Sequence, residues 1–185
     1  IDLTSVHESY PGHHLQFVTA NIHNAGNMTR SVHASASLYE GWALYCEDLM
    51  EEQGFLNWKE HRFIMLRDRL WRALRVIIDV RIHTQGLSIN EAAKLMVDKL
   101  GFDQQSADAE LAWYSTVPTV PLCYAAGYEL IKAVREHQQK QDGFELKAFH
   151  DALLQQGSIA LPLVIKRAFG EDAWNYARMK VFSGG

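Results

Sequence analysis

Cysteine is almost absent from this 185-residue chain: Cys46 and Cys123 are the two, and no C-x-x-C pair occurs. That excludes a disulfide framework and a zinc ribbon. Proline is scarce, with four residues, and no Pro-rich or Gly-rich stretch is long enough to separate domains. Basic charge is not in excess. Eighteen Lys and Arg stand against 22 Asp and Glu, for a net charge of −4, which argues against a nucleic-acid partner. No run approaches the ~18 apolar residues of a membrane span. The opening residues lack a signal-peptide pattern, and because the chain starts at Ile1, any targeting segment is expected upstream. Strand alternation is weak, and no Asn-Gly hairpin joins two alternating runs. Also missing are the phosphate-binding glycine motifs, the G-x-S-x-G elbow and the paired Glu-x-x-His of di-iron bundles.

What remains is an ordinary globular composition, 48% apolar and 22% charged, of a length that predicts one domain over residues 1–185. Helical periodicity dominates. Residues 36–53 are apolar at Leu38, Trp42, Leu44, Tyr45 and Leu49. Residues 58–83 repeat Phe63, Leu66, Leu70, Leu74, Ile77 and Ile78 at three- and four-residue steps. Ser88 and Glu91 form a capping box for a helix that stops at Gly101. Further helices are predicted over 107–114, 122–138, 144–154, 161–169 and 171–181. The predicted fold class is all-α. Trp42, Trp58, Trp71, Trp113 and Trp174 are expected as core and helix-contact aromatics, and His150-Asp151 as capping near a helix start.

The informative stretch is His7-Glu8-Ser9-Tyr10-Pro11-Gly12-His13-His14. A His followed by Glu, with more His close behind, is reminiscent of H-E-x-x-H, where two histidines one turn apart bind Zn²⁺ and the Glu activates its water. Here the spacing differs. On a regular helix His13 would sit ~9 Å and His14 ~10.5 Å along the axis from His7, too far to share a metal at ~2.0–2.1 Å per bond. Pro11-Gly12 offers a break, because proline removes a helical hydrogen bond and glycine tolerates unusual dihedrals. A break there would fold His13 back beside His7, with His14 the other candidate. Catalytic zinc sites keep three protein ligands and one open position, and the third is often a Glu from a later helix. Glu40, in the stretch Leu38-Tyr39-Glu40-Gly41-Trp42-Ala43-Leu44-Tyr45-Cys46-Glu47, suits that role. Glu47 lies seven residues on, on nearly the same face, where it could orient a ligand histidine or form a solvated ion pair.

These residues resemble the bacterial proteins grouped as "domain of unknown function 885". The family signature is similar to His-Glu-x-x-Pro-Gly-His-x-x-Gln followed by Glu-Gly-Trp-Ala-x-Tyr-x-Glu, here residues 7–16 and 40–47. The resemblance continues through Arg72–Asp79 with His83, Pro118–Tyr124 with Gly127, and Phe149–Leu154 with Gly157-Ser158 and Leu161-Pro162-Leu163. It implies a zincin-like, gluzincin-type helical metallohydrolase acting on a peptide or small amide. His7, His13 and Glu40 would be the Zn²⁺ ligands and Glu8 the general base. It also implies that the chain is the C-terminal third of a longer bacterial protein with a helical N-terminal region, and it leans towards an exported or periplasmic location. The chain departs from the family pattern at Val120 and at Val80-Arg81, positions that bear on substrate rather than metal.

The other roles follow from chemistry. Tyr124 and His83 can donate to a developing oxyanion. Arg75 and Arg72 can pair with a substrate carboxylate. Asp79, four residues from both Arg75 and His83, can contact the first or orient the second. The alternative of another class is a non-catalytic helical module that binds a peptide or partner around a structural or vestigial metal.

Overall fold

A computed structural model describes residues 1–183, the side chain of Ser31 excepted. The described residues form ten α-helices and no strand, so the all-α expectation holds. They are α1 (Asp2–Glu8), α2 (His13–Asn24), α3 (Met28–Val32), α4 (Ala36–Glu52), α5 (Lys59–Thr84), α6 (Ile89–Leu100), α7 (Gln104–Thr116), α8 (Val120–Gln138), α9 (Leu146–Leu154) and α10 (Leu161–Phe182). Two compact units emerge, one from residues 1–56 with the chain from Ala126 onward, the other from residues 57–125.

In the first unit α4 is the central helix. Residues from Gly41 to Leu49 are all buried, because both faces of this helix meet other elements. It meets α8 where two glycines touch. A Cβ on Gly41 would lie 2.5 Å from the Gly127 carbonyl carbon, and one on Gly127 would lie 2.0 Å from the Ser37 carbonyl oxygen. No side chain fits at that crossing. The two short helices predicted on either side of residue 170 are the two halves of α10, which breaks at Gly170, whose φ of 90° is closed to most other residues.

The second unit is built on α5, α6 and α7, with Leu74, Ile78, Ala93, Met96, Leu111 and Tyr114 at its centre. Local signals set its boundaries. The Ser88–Glu91 capping box is present in both directions, and Gly101 closes α6 in the left-handed conformation. The α5 stripe behaves otherwise: Leu74 and Ile78 are buried, but Phe63, Leu66, Leu70 and Ile77 are 68%, 50%, 52% and 46% exposed.

Two aromatic expectations need correction. Trp58 is exposed and stacks on His61 instead of entering a core. Trp113 is also on the exposed side. His150-Asp151 lies in the middle of α9, not at its start, and the His150 ring meets the Tyr45 hydroxyl at 2.7 Å.

Candidate metal centre

His7 occupies the last turn of α1 and His13 opens α2. Between them the chain turns back on itself. The Gly12 amide donates to Val6 O at 3.0 Å, and the His14 amide to Ser9 O at 3.1 Å; the Tyr10–Pro11 peptide is cis. Glycine at position 12 is obligatory for steric reasons, since a Cβ there would lie 1.9 Å from the carbonyl oxygen of His7. The turn is fastened to α4: Trp42 Nε1 donates to Pro11 O at 2.9 Å, and the Cys46 thiol approaches the same oxygen at 3.4 Å. These bonds bring the helix carrying Glu40 against the two histidines.

Glu40 Oε2 lies 3.5 Å from His7 Nε2 and 3.4 Å from His13 Nε2. The imidazole rings stand edge to face, 4.9 Å between centroids. One ligand-capable atom from each of the three residues lies within 4.8 Å of the others. Two bonds of ~2.05 Å at a tetrahedral angle would set ligand atoms about 3.3–3.4 Å apart. The spacing and the two-imidazole, one-carboxylate donor set therefore fit a zinc-sized ion. His14 is exposed and outside this group.

The surroundings of His7 are charged. Its Nδ1 lies 2.9 Å from Glu47 Oε1, and both residues are buried. This pairing directs Nε2 towards Glu40 and His13, as a carboxylate behind a ligand histidine does. Burial alone would depress the His7 pKa, but the hydrogen bonds and charges of Glu40 and Glu47 outweigh it and hold the imidazole up to about 9. The site thus concentrates negative charge that a cation would balance. Glu8, the last residue of α1, follows His7 directly and is exposed.

The remaining expected residues neighbour one another in the second unit. Arg75 is buried, its Nε donating to Tyr114 Oη at 2.6 Å and its Nη2 to Glu110 at 3.0 Å. Its guanidinium lies over Trp71 at 4.3 Å and Tyr124 at 4.6 Å. Arg72 stacks on the same two rings. Asp79 does not bond Arg75; its Oδ1 accepts the Thr119 amide at 3.3 Å and stands 3.4 Å from His83 Nε2. His83 Nε2 also lies 3.2 Å from Tyr114 O.

A sequence profile described as "Bacterial protein of unknown function (DUF885)" matches residues 1–167. The chain belongs to this family. Among solved structures it is similar to a candidate lipoprotein of unknown function from Shewanella oneidensis, at 28% identity and a TM-score of 0.78, over 89% of this chain and 30% of that one. A second, a candidate lipoprotein from Colwellia psychrerythraea, aligns at 27% identity and a TM-score of 0.84, over 94% of this chain and 30% of that one. The chain therefore spans under a third of the length of these relatives. No curated protein matches it.

Sequence reasoning placed Gln16 in the family signature but gave it no role. It is fully buried, and its Nε2 donates to Ser158 Oγ at 2.9 Å across 142 residues of sequence. The signal available was its place in that signature, about one helical turn after His13. Also unforeseen is a buried carboxylate on the far half of α4: Asp48 accepts from the Tyr128 hydroxyl and from Lys132 Nζ at 3.2 Å.

Proposed function

We propose that this chain carries the catalytic portion of a zinc-dependent, zincin-like hydrolase that cleaves peptide bonds. The observation that supports it best is the convergence of His7, His13 and Glu40 within 4.8 Å, with Glu8 directly after His7 in the sequence. Those three residues would hold Zn²⁺ and leave one position open. Zinc held there would act as a Lewis acid on a scissile carbonyl and acidify water towards neutral pH.

The chain's own groups do the rest. Glu8 follows the first ligand directly and has an exposed carboxylate. It takes the proton from attacking water and returns it to the leaving nitrogen. Glu47 accepts from His7 Nδ1 and keeps Nε2 available for the metal. Of the two arginines, Arg75 already spends Nε and Nη2 on Tyr114 and Glu110, so Arg75 braces this cluster. An exported location belongs to the same proposal and draws support from the lipoprotein description of the two relatives. No described helix is long and apolar enough to cross a membrane.

Glu8→Gln tests the reading. The variant is expected to retain wild-type zinc by elemental analysis while hydrolysis of a peptide mixture falls by roughly 10²–10⁴-fold. Full hydrolysis in that variant, or no anomalous zinc peak among His7, His13 and Glu40 in crystals, overturns it.

A further inference from the structure

A histidine that ligates through one ring nitrogen hands the other ring N–H to an acceptor, which fixes tautomer and orientation. His7 has such an acceptor in Glu47. His13 points Nε2 at Glu40, so its proton belongs on Nδ1, and that atom is buried with no hydrogen-bond partner among the described residues. Three residues on, along the same helix, stands the converse. Gln16 is 0% exposed; its amide nitrogen is satisfied by Ser158 Oγ, but its Oε1 is buried and likewise has no partner among the described residues. One atom is a donor lacking an acceptor, the other an acceptor lacking a donor. Residues three apart on a helix are neighbours, about 5–6 Å between Cβ atoms, a gap that one ordered water spans.

We propose that Gln16 is the positioning residue for His13, accepting its Nδ1–H across one water, as Glu47 accepts that of His7 directly. This rests on the zinc reading above. The amide orientation agrees: turned over, Gln16 would present NH₂ to the His13 N–H, donor against donor. The anchoring agrees as well. Ser158 O accepts the amide of Ser35 at 2.8 Å, and Ser35 is the residue from which α4 starts. Gln16 therefore links the helix carrying His13 to the segment that starts the helix carrying Glu40 and Glu47. The two ligand histidines are held by different chemistry, His7 by a charged acceptor and His13 by a neutral one.

Zinc affinity, measured by chelator competition on the intact chain, tests this with Gln16→Leu and Gln16→Glu. Leucine keeps the volume and removes the acceptor; glutamate keeps an acceptor. Gln16→Leu is expected to lose roughly 10–100-fold in zinc affinity and to shift the visible spectrum of the Co²⁺-substituted protein, with Gln16→Glu restoring affinity to near wild type. Equal affinity in wild type and Gln16→Leu overturns the role, as does equal loss in both variants with an unchanged cobalt spectrum. Should Gln16→Leu fail to fold, long-range ¹H–¹⁵N spectra of zinc-loaded wild type decide. A His13 proton on Nδ1 that is protected from exchange supports the role; a proton on Nε2 overturns it. A wild type that takes up no zinc removes the proposed function itself, an outcome distinct from each of these.

Discussion

At the scale of single residues, the polar side chains buried near α4 divide into two kinds. His7 is surrounded by carboxylates that hold its imidazole up to about 9 against the opposing effect of burial. His150 is the reverse case. Burial first, and then the charge of Arg135, push its pKa down to about 4, with Asp151 and Glu52 opposing; its ring also packs on Trp42 and Tyr45. A folded-state pKa below that of a free histidine means the folded chain resists protonation. The stability contributed by neutral His150 is complete above pH ~6.5 and is lost as the pH falls from there towards 4. At ~1.4 kcal/mol per pKa unit, discounted for the part of the ring that stays wet, the loss is about 2 kcal/mol. His150→Gln should therefore flatten the decline in urea stability between pH 6.5 and 4.5 relative to wild type. Parallel declines in the two proteins would refute the assignment.

At the scale of elements, α5 shows how far periodicity reaches. Its three- and four-residue apolar spacing correctly signals a helix, since that spacing arises from 3.6 residues per turn. Spacing does not say which apolar positions meet a partner. Leu74 is 8% exposed and belongs to the second unit's core, whereas Leu70 and Leu66 are half exposed one and two turns earlier. Leu74→Ala is expected to cost about 2–4 kcal/mol by creating a cavity. The double change Leu66→Gln with Leu70→Gln should stay within about 0.5–1 kcal/mol. Denaturant midpoints compare the two directly, and a double variant as damaged as Leu74→Ala would show that this face is covered. The same limit explains Trp58 and Trp113: aromatic character marks a residue able to be buried, and the neighbours supply the burial. The ends of α6 were legible because the capping box and Gly101 act within four residues.

At the scale of the whole molecule, the candidate centre draws on distant parts of the chain. Its candidate ligands and Glu47 come from residues 7–47, yet the turn that places His13 is fastened by Trp42, and Gln16 is anchored by Ser158. Zinc bound only by the folded arrangement should stabilise it by mass action, roughly 2.7 kcal/mol at free zinc 100-fold above Kd. That corresponds to a rise in Tm of about 5–10 °C for a chain of this size. Calorimetry with and without a chelator should show the rise in wild type and not in His7→Ala; an unaffected wild type would argue against a site formed by folding.

The sequence by itself determined the helical class, most helix boundaries, and the pairing of His7-Glu8 with a chain break at Pro11-Gly12. Each of these depends on groups within a few residues, so the interactions that set them are readable in order along the chain. It left open whether His13 or His14 faces His7 and whether Glu47 is solvated or pairs with a histidine, and it gave Gln16, the last residue of the first signature motif, no role. Those were decided by contacts over 31, 40 and 142 residues, because the partner of a buried polar group is whichever atom the packing of α2, α4 and the Ser158 loop brings within about 3 Å.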